Sequence, residues 1–464
     1  PLILPVIGSA IAMMPSAKVS FAKFQKKYGD ICSFKVFGRM TVLISDPLLI
    51  RSTGTDNRYS GRPPLFLFND RNMRISGRED SLGISGTSGD VWRHQRRFAL
   101  HVMKNLGFGK QSLEPVMRSE FDELHDYFAS QGNQKITVGF TFNRSIINVL
   151  WGMMIGKRFS HDDNCLKQLV DKINKMLQAF NPFSLAQNLP IIKKLFPNLE
   201  VYKRLNGHMM DLLDFLEDQL TTYCKQLDYT GDPNSYVGSY LKELKECKEE
   251  GKETLLSMHH LKAGLVDLFL AGSETTASTL QWAIYQLVAN PEVQKKMQKE
   301  LDDIVGPPGM DNHPALSHIE SLPYTTAVVY EINRLADLFP FGITHELMDD
   351  ATLGEYHLPK GTDIIYNLSH AMKSPQYWKC PEKFYPEHFL TSEGKAFKPK
   401  AFLPFGYGKR NCLGESLARL ELFFFLTNLV HQFSWIIAED PVIWEDAAVQ
   451  YRPPDFKVYV SQRM

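Results

Sequence analysis

Hydrophobic residues along most of the chain recur every three or four positions, which is the spacing of a helix that buries one face. This pattern predicts long helices near residues 111–129, 142–180, 198–228, 257–290, 322–335 and 412–433. Before them, two runs at 31–37 and 40–45 flank Gly38-Arg39 and predict a β-hairpin. The chain is therefore expected to be mainly α-helical with smaller β-sheets.

Two intervals depart from the helical pattern. Residues 242–252 are strongly charged, and we expect a solvated connection between helices there, with Cys247 exposed. Beyond Tyr366 the chain is rich in proline and aromatic residues up to Cys412, and a long ordered coil that ends on one cysteine is typical of a functional segment. Because neither repeats nor a long linker occur, we expect residues 1–464 to form one domain.

Composition and charge exclude several classes of protein. The 464 residues are 44% hydrophobic, which suits a large globular core, and Lys plus Arg equals Asp plus Glu at 52 each. A balanced charge argues against nucleic acid as a partner. The six cysteines form no Cys-x-x-Cys pair, which argues against a disulfide or zinc framework and favours a reducing compartment.

Sequence signals for secretion and membranes are weak. Two Asn-x-Ser sequons, at Asn143 and Asn367, lie in apolar surroundings, and we expect both to be buried rather than glycosylated. The chain has no run of apolar residues long enough to span a bilayer. It begins at Pro1 without an initiator methionine, so we expect a leader or anchor to be missing before it.

The segment around Cys412 carries the clearest chemistry. Residues 405–414 read Phe-Gly-Tyr-Gly-Lys-Arg-Asn-Cys-Leu-Gly, and a helix follows. Its glycines permit positive φ and a close approach to a flat ligand, while a helix N-terminus favours a thiolate. With no second Cys or His nearby, one axial thiolate on an iron porphyrin fits better than a zinc ion. A dinucleotide loop is excluded because the third glycine of that motif is missing.

This segment resembles the haem-binding signature of the cytochrome P450 family, Phe-Gly-x-Gly-x-Arg-x-Cys-x-Gly, at every fixed position. The resemblance extends over essentially the whole chain. It implies a P450 fold in which haem b (iron protoporphyrin IX) lies between an oxygen-activating helix and the cysteine loop. Cys412 would be the iron ligand, and Phe405 and Gly406 would belong to the loop that binds the cofactor.

Further residues suit the two haem propionates, which need cationic or hydrogen-bonding partners when buried. Arg410 lies two positions before Cys412, and Trp92 and Arg96 share one face of a predicted helix. The Trp-x-x-x-Arg spacing resembles a family feature, and His345 resembles a further propionate donor.

A polar run interrupts the apolar helix predicted at 257–290. Thr275 can hydrogen-bond the Ala271 carbonyl one turn earlier, and Glu274 beside it can deliver protons. The run resembles the family's Ala-Gly-x-(Asp/Glu)-Thr-Thr motif, which places Glu274 and Thr275 in the roles that manage protons for oxygen activation, with Ala271 next to the haem.

Glu331 and Arg334 can pair on one helix face, and their position resembles the structural ion pair of the family. His388 stands where the family usually has arginine, which leaves the third member of this network open. By family position the substrate pocket would be lined by uncharged residues, namely Phe269, Leu270, Ala271, Phe341 and Ile343. These side chains imply an apolar ligand.

No nucleotide-binding loop is present, so electrons for O2 reduction are expected from a partner. Lys395, Lys398, Lys400 and Lys409 form a candidate basic patch for an acidic flavoprotein, although an ordinary solvated face fits equally well. The resemblance implies NADPH-cytochrome P450 reductase, with cytochrome b5 as a second donor. Residues 189–197 resemble the family's mobile access region, which rests on the membrane.

The details resemble the animal microsomal branch of the family, which implies the cytoplasmic face of the endoplasmic reticulum membrane. The main hypothesis is NADPH-driven hydroxylation of a lipophilic steroid, fatty acid or xenobiotic. One alternative is a peroxide isomerase of the same fold that needs no reductase, and the Glu274-Thr275 pair argues against it. The other is a haem sensor or carrier, for which a proton relay would have no use.

Overall fold

Helices make up most of the structure, which is a computed structural model. It describes residues 16–36, 38–64, 66–132, 134–139, 141–179, 195–196, 198–226, 233–309, 312–439, 453 and 456–463. The α-helices are α1 (Ala17–Tyr28), α2 (Pro47–Thr55), α3 (Phe66–Ser76), α4 (Gly89–Asn105), α5 (Glu114–Gln131), α6 (Thr141–Ile155), α7 (Asn164–Ala179), α8 (Glu200–Gln226), α9 (Tyr236–Glu249), α10 (Met258–Ala289), α11 (Pro291–Val305), α12 (Pro323–Ala336), α13 (Leu368–Lys373) and α14 (Glu415–Gln432).

The strands form three small sheets. They are β1 (Ile31–Val36), β2 (Arg39–Ile44), β3 (Lys135–Thr137), β4 (His345–Glu346), β5 (Ala351–Leu353), β6 (Tyr356–Leu358), β7 (Asp363–Tyr366), β8 (Phe433–Ile437) and β9 (Lys457–Gln462). The sheet orders are β1-β2-β7-β4, β3-β9-β8 and β5-β6. β1 and β2 pair antiparallel from Ile31 opposite Ile44 to Val36 opposite Arg39, which confirms the predicted hairpin. β7 lies parallel to β2, so this sheet brings the N-terminal part of the chain to the residues before the cysteine loop.

Helix α10 runs through the centre of the largest apolar cluster and packs against α6, α12 and α14. Its residues are apolar on several sides, so it is buried on several sides. The helix begins where the Ser257 hydroxyl accepts the His260 N–H, and it ends at Asn290, after which Pro291 begins α11. This burial fixes the helix that carries Ala271, Glu274 and Thr275.

Two of the element predictions were wrong. The helix predicted at 142–180 is two helices, because α6 ends at Ile155 and Gly156 follows with a φ of +80°, a conformation that glycine adopts without strain. The charged interval 242–252 is not a connection, since most of it lies in α9. The apolar residues of α9 face the core, and Cys247 is buried with them rather than exposed.

The predicted burial of the two sequons and the predicted coil before Cys412 are confirmed. Asn143 and Asn367 are buried, at 0% and 3% exposure, so neither offers a glycan site. Between β7 and α14 the backbone is mostly coil, apart from α13 and two 3-10 turns at Pro386–Phe389 and Gly408–Arg410. Among the described helices, none is both long and apolar enough to cross a membrane.

Candidate functional site

The loop that carries Cys412 is held by its own backbone and by α2. The Cys412 N–H donates to the Phe405 carbonyl at 2.9 Å, which closes the loop on itself. Gly406 and Gly408 have φ values of +70° and +84°, where other residues would be strained. A side chain on Gly408 would collide with the backbone carbonyl of Gly54 in α2. The glycines are therefore required both by the turn and by this backbone contact.

Cys412 is the one exposed thiol among the six cysteines, all of which lie in the described part of the chain. Burial by the surrounding protein raises its pKa, while the N–H groups of Gly414 and Glu415 and the charge of Arg96 act in the opposite direction. The helix N-terminus therefore favours a thiolate, as predicted, against the larger and opposite effect of burial. A bound metal ion would supply the missing positive charge.

Three arginines converge beside this loop from distant parts of the chain. Arg410 donates to the carbonyls of Ser60 at 2.7 Å and Thr87 at 2.5 Å. Arg96 donates to the backbone and side-chain oxygens of Asn411 at 2.9 and 2.8 Å. Arg62, which the sequence analysis did not assign to the site, is the third cation.

Arg62 donates to the carbonyls of Ile343 and Thr344 at 2.8 and 2.9 Å, and its Nε has no hydrogen-bond partner among the described residues. Burial lowers the pKa of Arg62 to about 10. Burial, and then the like charges of Arg62 and Arg96, lower the pKa of Arg410 to about 8. Within the described chain, no carboxylate pairs with any of the three arginines. A buried cluster of like charges is favourable only beside an anion.

Trp92 and His345 complete the cluster. The Arg410 guanidinium stacks over the Trp92 ring, 3.8 Å from its centroid. His345 Nδ1 donates to the Tyr59 carbonyl at 2.8 Å, and burial together with the charges of Arg62 and Arg410 places its pKa well below the usual value. His345 Nε2 can donate to an anion only when the ring is charged, which the anion itself would favour.

The exposed face of α10 carries Ala271 and Thr275. The Thr275 hydroxyl donates to the Ala271 carbonyl at 2.7 Å, as predicted. Ala271 is exposed in the middle of a helix that is otherwise mostly buried. This small side chain leaves room for a flat group against the helix.

Glu274 points away from that face. It is 2% exposed, and its carboxylate accepts hydrogen bonds from Asn143 at 2.7 Å and from Ser278 at 2.8 Å. Asn143 belongs to α6, so the carboxylate lies at the contact between α6 and α10. A part in proton delivery would require the side chain to leave these partners.

Comparison with known proteins places the chain in a family. A family model described as cytochrome P450 matches residues 1–458. Cytochrome P450 2J3 of Rattus norvegicus is 32% identical over 464 residues, which cover 97% of this chain and 87% of that protein. The chain belongs to the cytochrome P450 family. Two further P450 relatives are the vitamin D(3) 25-hydroxylase of Sus scrofa, at 30% identity with 94% and 86% covered, and cytochrome P450 2L1 of Panulirus argus, at 31% identity with 99% and 93% covered.

As a P450, the protein is a haem-thiolate monooxygenase that acts on lipophilic substrates. Its cofactor is haem with a cysteine thiolate ligand, O2 is the co-substrate, and electrons come from NADPH through a redox partner. The predicted fold, enzyme class and cofactor are confirmed. The donor set fits the cofactor, because an exposed thiol lies beside a cluster of arginines that has no carboxylate partner in the described part of the chain.

Glu331, Arg334 and His388 come together in this P450. Arg334 donates to both Glu331 oxygens at 2.7 Å, and the two side chains are fully buried. His388 Nε2 accepts the Cys380 N–H at 3.3 Å, so the ring proton lies on Nδ1, which donates to Glu331 at 3.2 Å. His388 thus occupies the third place in the network without requiring a charge.

Two of the predicted pocket residues belong to the core instead. Phe269 is fully buried and packs on Trp151 with 5.3 Å between ring centroids, because it lies on the opposite side of α10 from Ala271. Phe341 is buried against Phe21, edge to face at 4.7 Å.

Leu270 is half-buried and Ile343 is exposed, so both keep surface that a ligand can reach. Most of the predicted access region 189–197 lies outside the described residues.

Sequence reasoning also missed Glu421, which lies on α14 opposite α10. Burial raises its pKa to about 8, against a smaller opposing effect of a hydrogen bond from Thr276. Its Oε1 has no hydrogen-bond partner among the described residues. The sequence signal that could have identified Glu421 is a carboxyl group on the apolar side of a predicted helix.

Proposed function

We propose that the Cys412 thiolate would hold the haem iron. The propionates would be held by Arg62, Arg96, Arg410, His345 and Trp92, and Ala271 and the loop at Phe405 and Gly406 would contact the cofactor. The observation that supports this assignment is the exposed thiol beside one buried and two half-buried arginines, none of which pairs with a carboxylate of the described residues. When bound, the haem supplies the redox chemistry that activates O2 and oxidises the substrate.

The polar groups of α10 would handle protons during the reaction. Thr275 lies on the exposed face of the helix, where its hydroxyl can pass or hold a proton while its own proton is directed at the Ala271 carbonyl. Glu274 acts as the acid behind it once the carboxylate turns from Asn143 and Ser278. Both roles are part of the proposal.

We propose a steroid, fatty acid or xenobiotic as the substrate. Ala271, Leu270 and Ile343 are uncharged and retain accessible surface, which suits an apolar ligand. Residues 1–464 would act as one catalytic domain, since one apolar cluster runs from Ile75 to Val460.

The redox partner in this proposal is NADPH-cytochrome P450 reductase, with cytochrome b5 as a second donor. A cavity of about 520 Å³ between α4 and the cysteine loop is lined by Arg93, Arg97 and Lys409 as well as Trp92 and Arg96. These side chains add positive charge on the Cys412 side of the molecule, where an acidic partner would approach.

Attachment to the endoplasmic reticulum membrane, on its cytoplasmic face, is supported by exposed apolar side chains. Leu195 and Phe196 are 64% and 59% exposed and lie at the end of the predicted access region. Large apolar side chains in this position suit the boundary between lipid headgroups and acyl chains.

The test is turnover of a panel of steroids, fatty acids and drugs with reductase, NADPH and isotopically labelled O2. We expect one labelled oxygen atom per product and no product without reductase. A product formed from a lipid peroxide without reductase would instead support an isomerase. A protein that binds haem and gives no product with any substrate in the panel would support a sensor or carrier.

A further inference from the structure

The segment between α3 and α4 is held against α10 by the Asp267 carboxylate and by His260, whose Nδ1 accepts the Gly83 N–H at 3.3 Å. Asp267 lies on α10, one turn before Ala271, and its Oδ2 accepts the backbone N–H groups of Ile84 at 2.8 Å and Ser85 at 3.0 Å. Gly83 has a φ of +81°, and a side chain there would collide with the Asp267 carboxylate. The backbone of the segment therefore approaches this carboxylate closely.

The other oxygen of Asp267 binds Arg71 of α3. Arg71 Nη1 donates to Asp267 Oδ1 at 2.6 Å, and the side chains are 0% and 4% exposed. Arg71 Nη2 donates to the Leu82 carbonyl at 3.2 Å and to Asn72 at 2.9 Å, and its guanidinium lies 4.2 Å from the Phe68 ring centroid. One guanidinium thus joins α3, the segment and α10.

The far end of the same segment binds the guanidinium of Arg410 and the backbone of Arg62. The Thr87 carbonyl accepts from Arg410 at 2.5 Å, and the Ser88 hydroxyl accepts from the Arg62 backbone N–H at 2.8 Å. The Thr87 hydroxyl donates to the Gly83 carbonyl at 3.0 Å, which braces the segment between its two ends. A continuous path of hydrogen bonds therefore runs from Asp267 to Arg410.

We propose that the Arg71–Asp267 pair is a positioning device that fixes residues 82–88 and, through them, the Arg62 and Arg410 groups that face the haem propionates. This inference rests on the proposed function, because it concerns how the protein holds that cofactor. Removing one partner leaves the other as an uncompensated buried charge and weakens the attachment of the segment to α10. The Arg410 guanidinium would then lose the Thr87 carbonyl, and the backbone of Arg62 would lose the Ser88 hydroxyl.

The experiment uses the haem-loaded protein and five variants. We expect Arg71→Met and Asp267→Asn to speed haem transfer to apomyoglobin by about tenfold or more, and the double variant to recover part of that loss because no lone charge remains. Arg71→Lys keeps the positive charge but loses the planar guanidinium that binds several partners at once. Its rate of haem transfer should lie between the rates of wild type and Arg71→Met. Arg74→Met removes an exposed ion pair of the same helix, with Asp214 at 3.4 Å, and should change the rate by less than about twofold.

A second measurement separates positioning from general stability. The propionate bending mode in resonance Raman spectra should shift in Arg71→Lys, which is expected to fold even if Arg71→Met does not. An unchanged mode, or haem transfer no faster than in Arg74→Met, would overturn the inference. If wild-type protein fails to give the red-shifted Soret band of a thiolate-ligated haem with CO, the proposed function fails instead.

Discussion

The cysteine loop and the arginine cluster form two parts of one site, but they are built in different ways. Residues 405–414 form a contiguous loop whose shape follows from local bonds such as Cys412 N–H to the Phe405 carbonyl. The cluster takes Arg62, Arg96 and His345 from three distant segments, and each donates to a backbone carbonyl of another of these segments or of the loop. A local loop is encoded by consecutive residues, whereas a convergent cluster exists only after the chain has folded.

The largest effect on stability should come from the network of Glu331, Arg334 and His388, which supports the coil that leads to the cysteine loop. Glu331→Gln leaves Arg334 without its buried partner, so we expect the free energy of unfolding to fall by about 3–5 kcal/mol. Urea unfolding measures the change. Lys296→Ala, which breaks an exposed pair with Glu387, is the matched control and should cost under about 1 kcal/mol. Equal losses in the two variants would refute a special role for the buried pair.

The burial of Glu421 at the contact between α14 and α10 can be tested by the pH dependence of stability. Because burial raises its pKa to about 8, the folded protein keeps a proton that the unfolded chain releases near the ordinary value of 4.5, so stability falls as pH rises between these values. Glu421→Gln should match wild type near pH 5 and exceed it by roughly 2–4 kcal/mol near pH 8. Parallel stability curves for the two proteins would show that Glu421 titrates normally.

Arg62 tests the cluster, since only the folded structure identified it. Arg62→Met removes a buried cation with an unpartnered Nε, and we expect haem transfer to apomyoglobin to become about tenfold faster. Arg58→Met, which lies outside the cluster and pairs with Asp56 at the surface, serves as the control. A rate equal to that of the control would remove Arg62 from the site.

The smallest effect concerns the surface beside the loop. Lys409→Glu reverses one charge at the cavity that also contains Arg93 and Arg97, so the KM for reductase should rise about threefold at low salt and approach wild type at high salt. The haem spectrum should not change. Lys299→Glu, on the surface of α11, should leave the KM unaltered, and a salt-independent effect at Lys409 would argue against electrostatic docking.

Features that depend on neighbouring residues were predictable from the sequence. The hairpin at Ile31–Val36 and Arg39–Ile44, the coil before Cys412 and the bond from Thr275 to Ala271 all follow from local spacing. The helix break after Ile155 has a local signal too, in Gly156.

Features that depend on the direction in which a side chain points, or on residues distant in sequence, were not predictable. Spacing alone did not show that Phe269 faces Trp151, that Glu274 faces Asn143, or that Arg62 joins the cluster. The charged run in α9 hid a helix because its apolar face supplies too few residues to dominate the pattern.

The assignment of Cys412 as the thiolate ligand is tested most directly by the CO spectrum of the reduced protein. Wild type and Cys165→Ser, in which a half-exposed cysteine far along the chain is replaced, should both give the strongly red-shifted Soret band of a thiolate-ligated haem. Cys412→His should bind haem and give the Soret band of an imidazole-ligated haem instead. A red-shifted band that persists in Cys412→His would contradict the account.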